Sequence, residues 1–243
     1  MINVVIPMAG EGSRFSKAGF TKPKPFIEVD GKPMIVRVLE NLACPDARYI
    51  LLARQEHMDT DIAQVREIEE TFKATFIPIN KLTEGTACTL LYAREYINTD
   101  APLLIANSDQ IVDIRIADFF DDCEHRELDG SIMTFIDPHL DPKWSFAKLG
   151  TEYLVTEVQE KKAISEYATV GIYLYSRGRD FVNAAIDMIV RGERVNNEFY
   201  TSPTYNHAIR AGRRIGIYNI SVSAMHGIGT PEDLELYLSL RRK

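Results

Sequence analysis

The sequence predicts an α/β fold with a mostly parallel central sheet flanked by helices. Three observations carry that expectation. Through the first 130 residues, apolar runs of strand length alternate with helix-period patterns, which is how crossover units read. The first apolar run, Ile2 to Ile6, breaks directly into a turn, Pro7-Met8-Ala9-Gly10-Glu11-Gly12, whose glycines free the backbone. With 243 residues, 45% of them hydrophobic, the chain can bury one full core.

Taken in order, residues 2–6 read as strand, 34–42 as helix, 49–53 as strand and 62–72 as helix. Residues 76–79 read as strand, 85–97 as helix, 103–106 as strand and 116–127 as helix. After Gly130 the pattern changes. Strands are expected at 131–136, 147–149, 153–159 and 169–175, then a helix around 181–190. Helix 204–211, strand 214–222 and helix 231–240 complete the series, the last opened by Pro231 with Glu232 and Asp233 behind it. Without a repeat, a low-complexity tract or a long linker, residues 1–243 read as a single domain in two halves, 1–130 and 131–243. Ligands on parallel sheets bind beyond the carboxyl ends of the strands. Gly10 and Gly12, Asn80, and Asn107-Ser108-Asp109 all fall there.

A net charge of -7 and the lack of a basic face argue against a nucleic-acid partner. Cys44, Cys88 and Cys123 are odd in number and lack C-x-x-C spacing, so neither a disulfide framework nor a zinc site is expected, and a reducing cytoplasm fits. The chain enters its first strand with no charged leader, and no apolar run approaches the roughly 18 residues a membrane span needs, so a soluble protein is expected.

Gly10-Glu11-Gly12-Ser13-Arg14-Phe15, followed by Lys22-Pro23-Lys24-Pro25, places free backbone and cations where an anion can sit. A dinucleotide fingerprint would need glycine at Phe15, and a P-loop would need a Gly-Lys-Ser/Thr ending. The residue before a proline is biased to extended backbone, so Lys22 and Lys24 are both expected in an extended segment, and physics alone does not choose between them.

G-x-G-S-R-F followed by P-K-P resembles the sugar-phosphate nucleotidylyltransferase family, the NDP-sugar pyrophosphorylase-like enzymes with a glycosyltransferase-A type, Rossmann-like fold. The resemblance implies transfer of NMP from an NTP to a phosphorylated small molecule with release of pyrophosphate. It makes residues 1–130 the nucleotide half and 131–243 the acceptor half. It gives Arg14 the β- and γ-phosphates, Lys24 the α-phosphate, and Asp109 a Mg2+ ion. It assigns the nucleotide to Ala9, Gly10, Glu11, Gly12, Ser13, Asn80, Gly85, Thr86 and Ser108, with Asn80 where glutamine often stands. Val158-Gln159-Glu160-Lys161-Lys162 resembles the family's V-E-K-P segment, which gives the acceptor to Glu160 and Lys161, with Lys162 as the alternative lysine. Gly171 matches the glycine of the strand that lines the acceptor pocket.

Two departures stand out. Many members carry Asp or Asn, as a second metal ligand, two residues before Gly-Thr, where this chain has Gly227; His226 beside it would point to the opposite face of a strand. Sugar-specific members show an aromatic residue followed by glycine where Trp144-Ser145 stands, with Trp144 either a flat wall or core packing. The acceptor is therefore expected among sugar 1-phosphates or non-sugar phosphates such as phosphocholine, with CTP favoured as donor and a place in capsule or lipopolysaccharide biosynthesis. Asn196-Asn197-Glu198-Phe199-Tyr200 serves either as acceptor contacts or as a subunit surface of a homodimer. A glycosyltransferase consuming a nucleotide sugar and a non-catalytic nucleotide sensor are the competing readings.

Overall fold

The computed structural model describes residues 1–241. Strand β1 (Ile2–Met8) leads through the turn into α1 (Ser13–Lys17), a small hairpin of β2 (Glu28–Val29) and β3 (Lys32–Pro33), and α2 (Met34–Asn41). Then come β4 (Ala47–Arg54), α3 (Gln55–Thr60), α4 (Ile62–Phe72), β5 (Thr75–Ile79), α5 (Thr86–Leu90) and α6 (Arg94–Ile97). Strands β6 (Leu103–Ala106) and β7 (Gln110–Val112) precede α7 (Ile116–His125) and β8 (Gly130–Ile136). The second half adds β9 (Ser145–Leu149), β10 (Val155–Glu160), β11 (Tyr167–Tyr175), α8 (Gly178–Val190), α9 (Thr204–Arg210), β12 (Ile215–Ile220), β13 (Met225–Gly227) and α10 (Pro231–Arg241).

Among the described residues, nine strands from both halves form one sheet, with the spine β10-β9-β11-β6-β1-β4-β5 and with β8 and β12 branching from β11. The first-half strands β6, β1, β4 and β5 run parallel. Strand β11 lies antiparallel against β6, and β12 returns parallel to β8. Alternate residues of the central strands feed opposite faces, as a period of two requires. Val4, Ile6 and Leu51 pack with α2 and α7 on one side, while Val5, Ile50 and Leu52 pack with α5, α6 and α8 on the other. Val4, Val5 and Ile6 are fully buried, which is why the opening run is apolar throughout instead of alternating.

The expected helix over 85–97 is interrupted by a 3-10 turn at Leu91–Ala93. The tighter turn keeps Leu90, Ala93 and Ile97 all buried against the sheet. Strands β7 and β13 were not expected. Each is three residues long, too short for periodicity to register, and they pair antiparallel across more than a hundred positions of sequence. Their pairing carries the chain's last segment to the end of β6.

Candidate active site

The main cleft, about 770 Å³, opens at the carboxyl end of the parallel strands. One wall is the turn after β1. Gly12 there is left-handed (φ 62°), and a Cβ on it would stand 3.0 Å from the Cβ of Lys24, so its missing side chain lets the turn and the lysine lie together. Phe15 turns the other way, into a cluster with Met34, Ile111, Ile228, Leu234 and Tyr237. Burying that ring contributes roughly 1.5–3 kcal/mol and fixes the turn to β7 and α10. The N–H groups of residues 10–13 enter none of the loop hydrogen bonds among the described residues, and Arg14 is exposed at the rim. This wall presents donors and a guanidinium without competing partners.

Lys24 enters the cleft, whereas Lys22 lines a separate, shallower depression with Phe20 and Glu28. The expectation that both lysines lie in extended chain is corrected. Lys24–Phe26 is a 3-10 turn closed by the Phe26 N–H on the Pro23 carbonyl at 2.9 Å, with Phe26 fully inside the core as its anchor. That burial outweighs the bias against a turn at a residue preceding proline.

Asp109 follows β6 directly. Its carboxylate accepts from the Lys24 ammonium at 2.5 Å, with both side chains about a quarter exposed. Gly229 packs on the same carboxylate, since a Cβ there would approach its Cγ to 3.1 Å, and the Ile228 N–H donates to the Asp109 carbonyl at 2.9 Å. A hard divalent cation fits the carboxylate oxygens of Asp109, which opens onto the cleft beside Ser108, provided that the Lys24 ammonium yields its oxygen. Among the described residues no three metal-ligating side chains converge, so such an ion would take its remaining oxygens from substrate phosphates and water. Gly227 adds nothing to it. The nearest atom to a Cβ at 227 is a carboxylate oxygen of Asp233 at 4.0 Å, and His226 is turned to Asp113 at 2.7 Å.

The opposite wall joins the 82–86 loop to the segment 195–201. Val195-Asn196-Asn197-Glu198 is a two-residue hairpin with positive φ at both asparagines, the conformation Asn tolerates best among residues with side chains. The Phe199 N–H donates to the Glu84 carbonyl at 2.7 Å, and the Phe199 carbonyl accepts from Ala87 N–H at 2.9 Å. Gly85 (φ 120°) is required there, because a Cβ would come within 2.5 Å of the Phe199 nitrogen. Thr201 donates to the Thr86 hydroxyl through its N–H (3.1 Å) and its own hydroxyl (3.0 Å). Asn197, Glu198 and Tyr200 thus face Gly10 to Arg14 across the cleft, which gives the Asn196–Tyr200 cluster a place in the site.

Ala9, Gly10, Glu11, Gly12, Ser13, Arg14, Lys24, Gly85, Thr86, Ser108 and Asp109 all line this one cleft. Asn80 is exposed at the end of β5 and does not line it. Glu160, Lys161 and Gly171 lie behind the lining, each touching a residue of the site or of its wall. Lys161 donates to the Tyr200 hydroxyl at 2.7 Å, Glu160 accepts from Ser202 at 2.8 Å and from Ser145, and Gly171 gives room to Asn107. The Tyr200 bond raises the Lys161 ammonium above the ordinary lysine range. Trp144 stands edge-on against Phe135 at 5.3 Å on the rim of the core, which settles it as packing. Asn107 at its strand end and Tyr200 in its cluster were marked by the sequence, but which residues they partner was not. Their neighbours in space, Gly171 and Lys161, are 64 and 39 positions away.

The family model described as nucleotidyl transferase matches residues 3–203. A mannose-1-phosphate guanyltransferase of Yarrowia lipolytica is 33% identical over 117 residues, which are 47% of this chain and 32% of that protein. One from Aspergillus fumigatus is 30% identical over 114 residues, 46% and 31% of the two chains. The chain spans about a third of the length of these relatives. Among solved structures, a nucleoside-diphosphate-sugar pyrophosphorylase from Vibrio cholerae RC9 superimposes with a TM-score of 0.83 at 24% identity, covering 97% of this chain and 99% of the other. The inositol-1-phosphate CTP transferase from T. maritima gives 0.77 at 14% identity over 100% and 96%. These structures share the fold, a mixed α/β architecture around a mostly parallel sheet. With the family match running from β1 through the Thr201 strap, the chain belongs to the nucleotidyl transferase family.

Proposed function

We propose that the protein transfers a nucleoside monophosphate from an NTP to the phosphate of a small acceptor and releases pyrophosphate. The observation that carries this reading is the single cleft in which Gly10–Arg14, Lys24 and Asp109 face the Thr86–Tyr200 wall. An acceptor phosphate oxygen forms a bond to the α-phosphorus as the bond to the β-phosphate oxygen breaks, so pyrophosphate leaves with that electron pair. No side chain has to remove a proton, because a phosphate monoester with a second pKa of about 6 is already ionised at neutral pH. The protein's task is placement and charge. Arg14 and the free N–H groups of the turn hold the β- and γ-phosphates, and Lys24 meets the charge that develops at the α-phosphate. Asp109 would hold Mg2+, which supplies further charge neutralisation between the phosphates when bound. Ala9, Glu11, Gly85, Thr86 and Ser108 enclose the rest of the nucleotide, and Lys161 supports the acceptor phosphate.

The acceptor class is a sugar 1-phosphate or a non-sugar phosphate, and the product would feed surface polysaccharide synthesis. The relatives named as guanyltransferases bring GTP beside CTP as a donor. Pyrophosphate release with the four ribonucleoside triphosphates and dTTP, each against mannose 1-phosphate, other sugar 1-phosphates and phosphocholine, tests the reading. Activity with one pair, abolished by Asp109→Ala, supports it. Hydrolysis of nucleotide sugars with no pyrophosphate formed from any triphosphate would replace it with the glycosyltransferase reading.

A further inference from the structure

Strand β10 ends at Glu160, and the chain turns at Lys161 with φ 55°, a left-handed conformation that residues with side chains keep only where their surroundings over-determine it. Lys161 is exposed, yet its ammonium has a fixed place. It donates to the Tyr200 hydroxyl at 2.7 Å and lies 4.6 Å from the centre of the Tyr200 ring. Tyr200 faces the cleft and Lys161 stands behind it. Having accepted from Lys161, the hydroxyl keeps its own proton, for which the described residues offer no acceptor. A hydroxyl that accepts from a cation is a strengthened donor.

The strap that carries Tyr200 is pinned on both sides. Phe199 is locked to Glu84 and Ala87, Thr201 to Thr86, and Ser202 donates to Glu160 at 2.8 Å, the residue before Lys161. Four consecutive residues thus tie the loop at the mouth of α5 to the end of β10 and hold Tyr200, with Lys161 on its hydroxyl, in the lining of the cleft between them. The opposite wall already holds its own cations, Arg14 and Lys24, so the two walls present positive charge and donors to two separate anions.

We propose that Tyr200 is an acceptor-binding residue: its hydroxyl proton goes to a phosphate monoester oxygen of the acceptor, and the Lys161 ammonium held on the same hydroxyl supplies the charge. The grip rests on the reading of the cleft as a transfer site for two anions. It gives the acceptor wall a two-point phosphate contact, with the ring excluding water on one side.

Inorganic phosphate is the probe. In the wild-type protein, phosphate slows acylation of Lys161 by an amine-reactive ester, followed by peptide mass spectrometry. Tyr200→Phe keeps the ring under the ammonium and removes the hydroxyl, and the phosphate concentration needed for half-protection rises about tenfold, the loss of one charge-assisted hydrogen bond. In steady state, the same variant raises the acceptor KM by about tenfold while the NTP KM and the melting temperature hold, a split that a merely structural tyrosine would not give. Equal protection in wild type and Tyr200→Phe, or an equal rise in the NTP KM, overturns the grip. Absence of phosphate protection in a wild-type protein that releases pyrophosphate sinks the grip and leaves the transfer reading standing. Protection that depends on Tyr200, with no pyrophosphate from any triphosphate, does the reverse.

Discussion

Lys24→Met should raise the affinity of the nucleotide-free protein for a divalent cation while lowering turnover. The Lys24 ammonium sits 2.5 Å from the Asp109 carboxylate, with both side chains about three-quarters removed from solvent. At an effective dielectric of about 20, two unit charges at that separation attract by ~7 kcal/mol, and desolvation of both ions offsets most of it. Hydrogen bonds to charged groups retain about 1.5–3 kcal/mol net. A cation approaching Asp109 in the free protein must displace that bond, so removing it improves divalent binding by about tenfold or more. Electron paramagnetic resonance of free Mn2+ measures this directly, with Asp109→Asn as the background and Lys24→Arg as a variant that keeps a positive group. Turnover should move the opposite way, falling by more than ~100-fold, because the ammonium is then missing from the α-phosphate in the transition state. Mn2+ affinity unchanged or weaker in a folded Lys24→Met protein would refute the account of Lys24 as the group that holds the metal carboxylate until substrate arrives.

Gly85→Ala puts a Cβ into the Phe199 backbone at a φ that disfavours side chains, so the 199–202 strap must shift. A loss on the order of 3 kcal/mol is expected, a fall in melting temperature of roughly 6–12 °C by calorimetry. The double change Ser145→Ala and Ser202→Ala frees the Glu160 oxygen that both hydroxyls now occupy. Relative kcat/KM should then shift at least ~5-fold toward hydroxyl-rich sugar phosphates over phosphocholine; an unchanged ratio would place Glu160 away from the acceptor. Asp187, bonded first by the His207 ring and then by Arg191, and Glu193, bonded by Arg210, both have carboxyl pKa values held below the usual range. Depressed folded values contribute stability that is present above the unfolded carboxyl range near pH 4 and is lost as pH falls through the folded values. Urea unfolding of Asp187→Asn/Glu193→Gln should therefore show lower stability than wild type at pH 7 and a smaller further loss by pH 3.

That Gly10 to Arg14 and Asp109 share one cleft was legible in the sequence because each follows a parallel strand. Gly10 to Phe15 follow β1 and Asp109 follows β6, and parallel strands bring their carboxyl ends to one edge without further information, whereas Lys24 reaches that edge from the 3-10 turn before β2. What the residues did not announce was why Phe15 is phenylalanine. Its partners, Ile111, Ile228 and Tyr237, come from β7, the end of β13 and α10, elements too short or too distant for periodicity to link. The expected extended backbone at Lys24 failed for a related reason: a local bias against turns before proline is small beside the burial of Phe26 two positions on.

The wall proposed to take the acceptor follows a different logic. Each of its contacts joins separate elements: Lys161 to Tyr200, Glu160 to Ser145 and Ser202, Asn107 to Gly171, Thr86 to Thr201. Ser145 looked like an intrusion where sugar-specific relatives keep glycine, yet its hydroxyl is absorbed by Glu160 and the space is filled by a hydrogen bond instead of a ligand. A carboxylate that spends one oxygen on two serines has less left for sugar hydroxyls. The same strap that supplies Ser202 supplies Tyr200, so the change that narrows Glu160 arrives together with the group that strengthens Lys161. On the proposed reading, the consequence is selection for the phosphate of the acceptor over the rest of it: Lys161 and Tyr200 would hold the anion, while Glu160, occupied by Ser145 and Ser202, would read little beyond it.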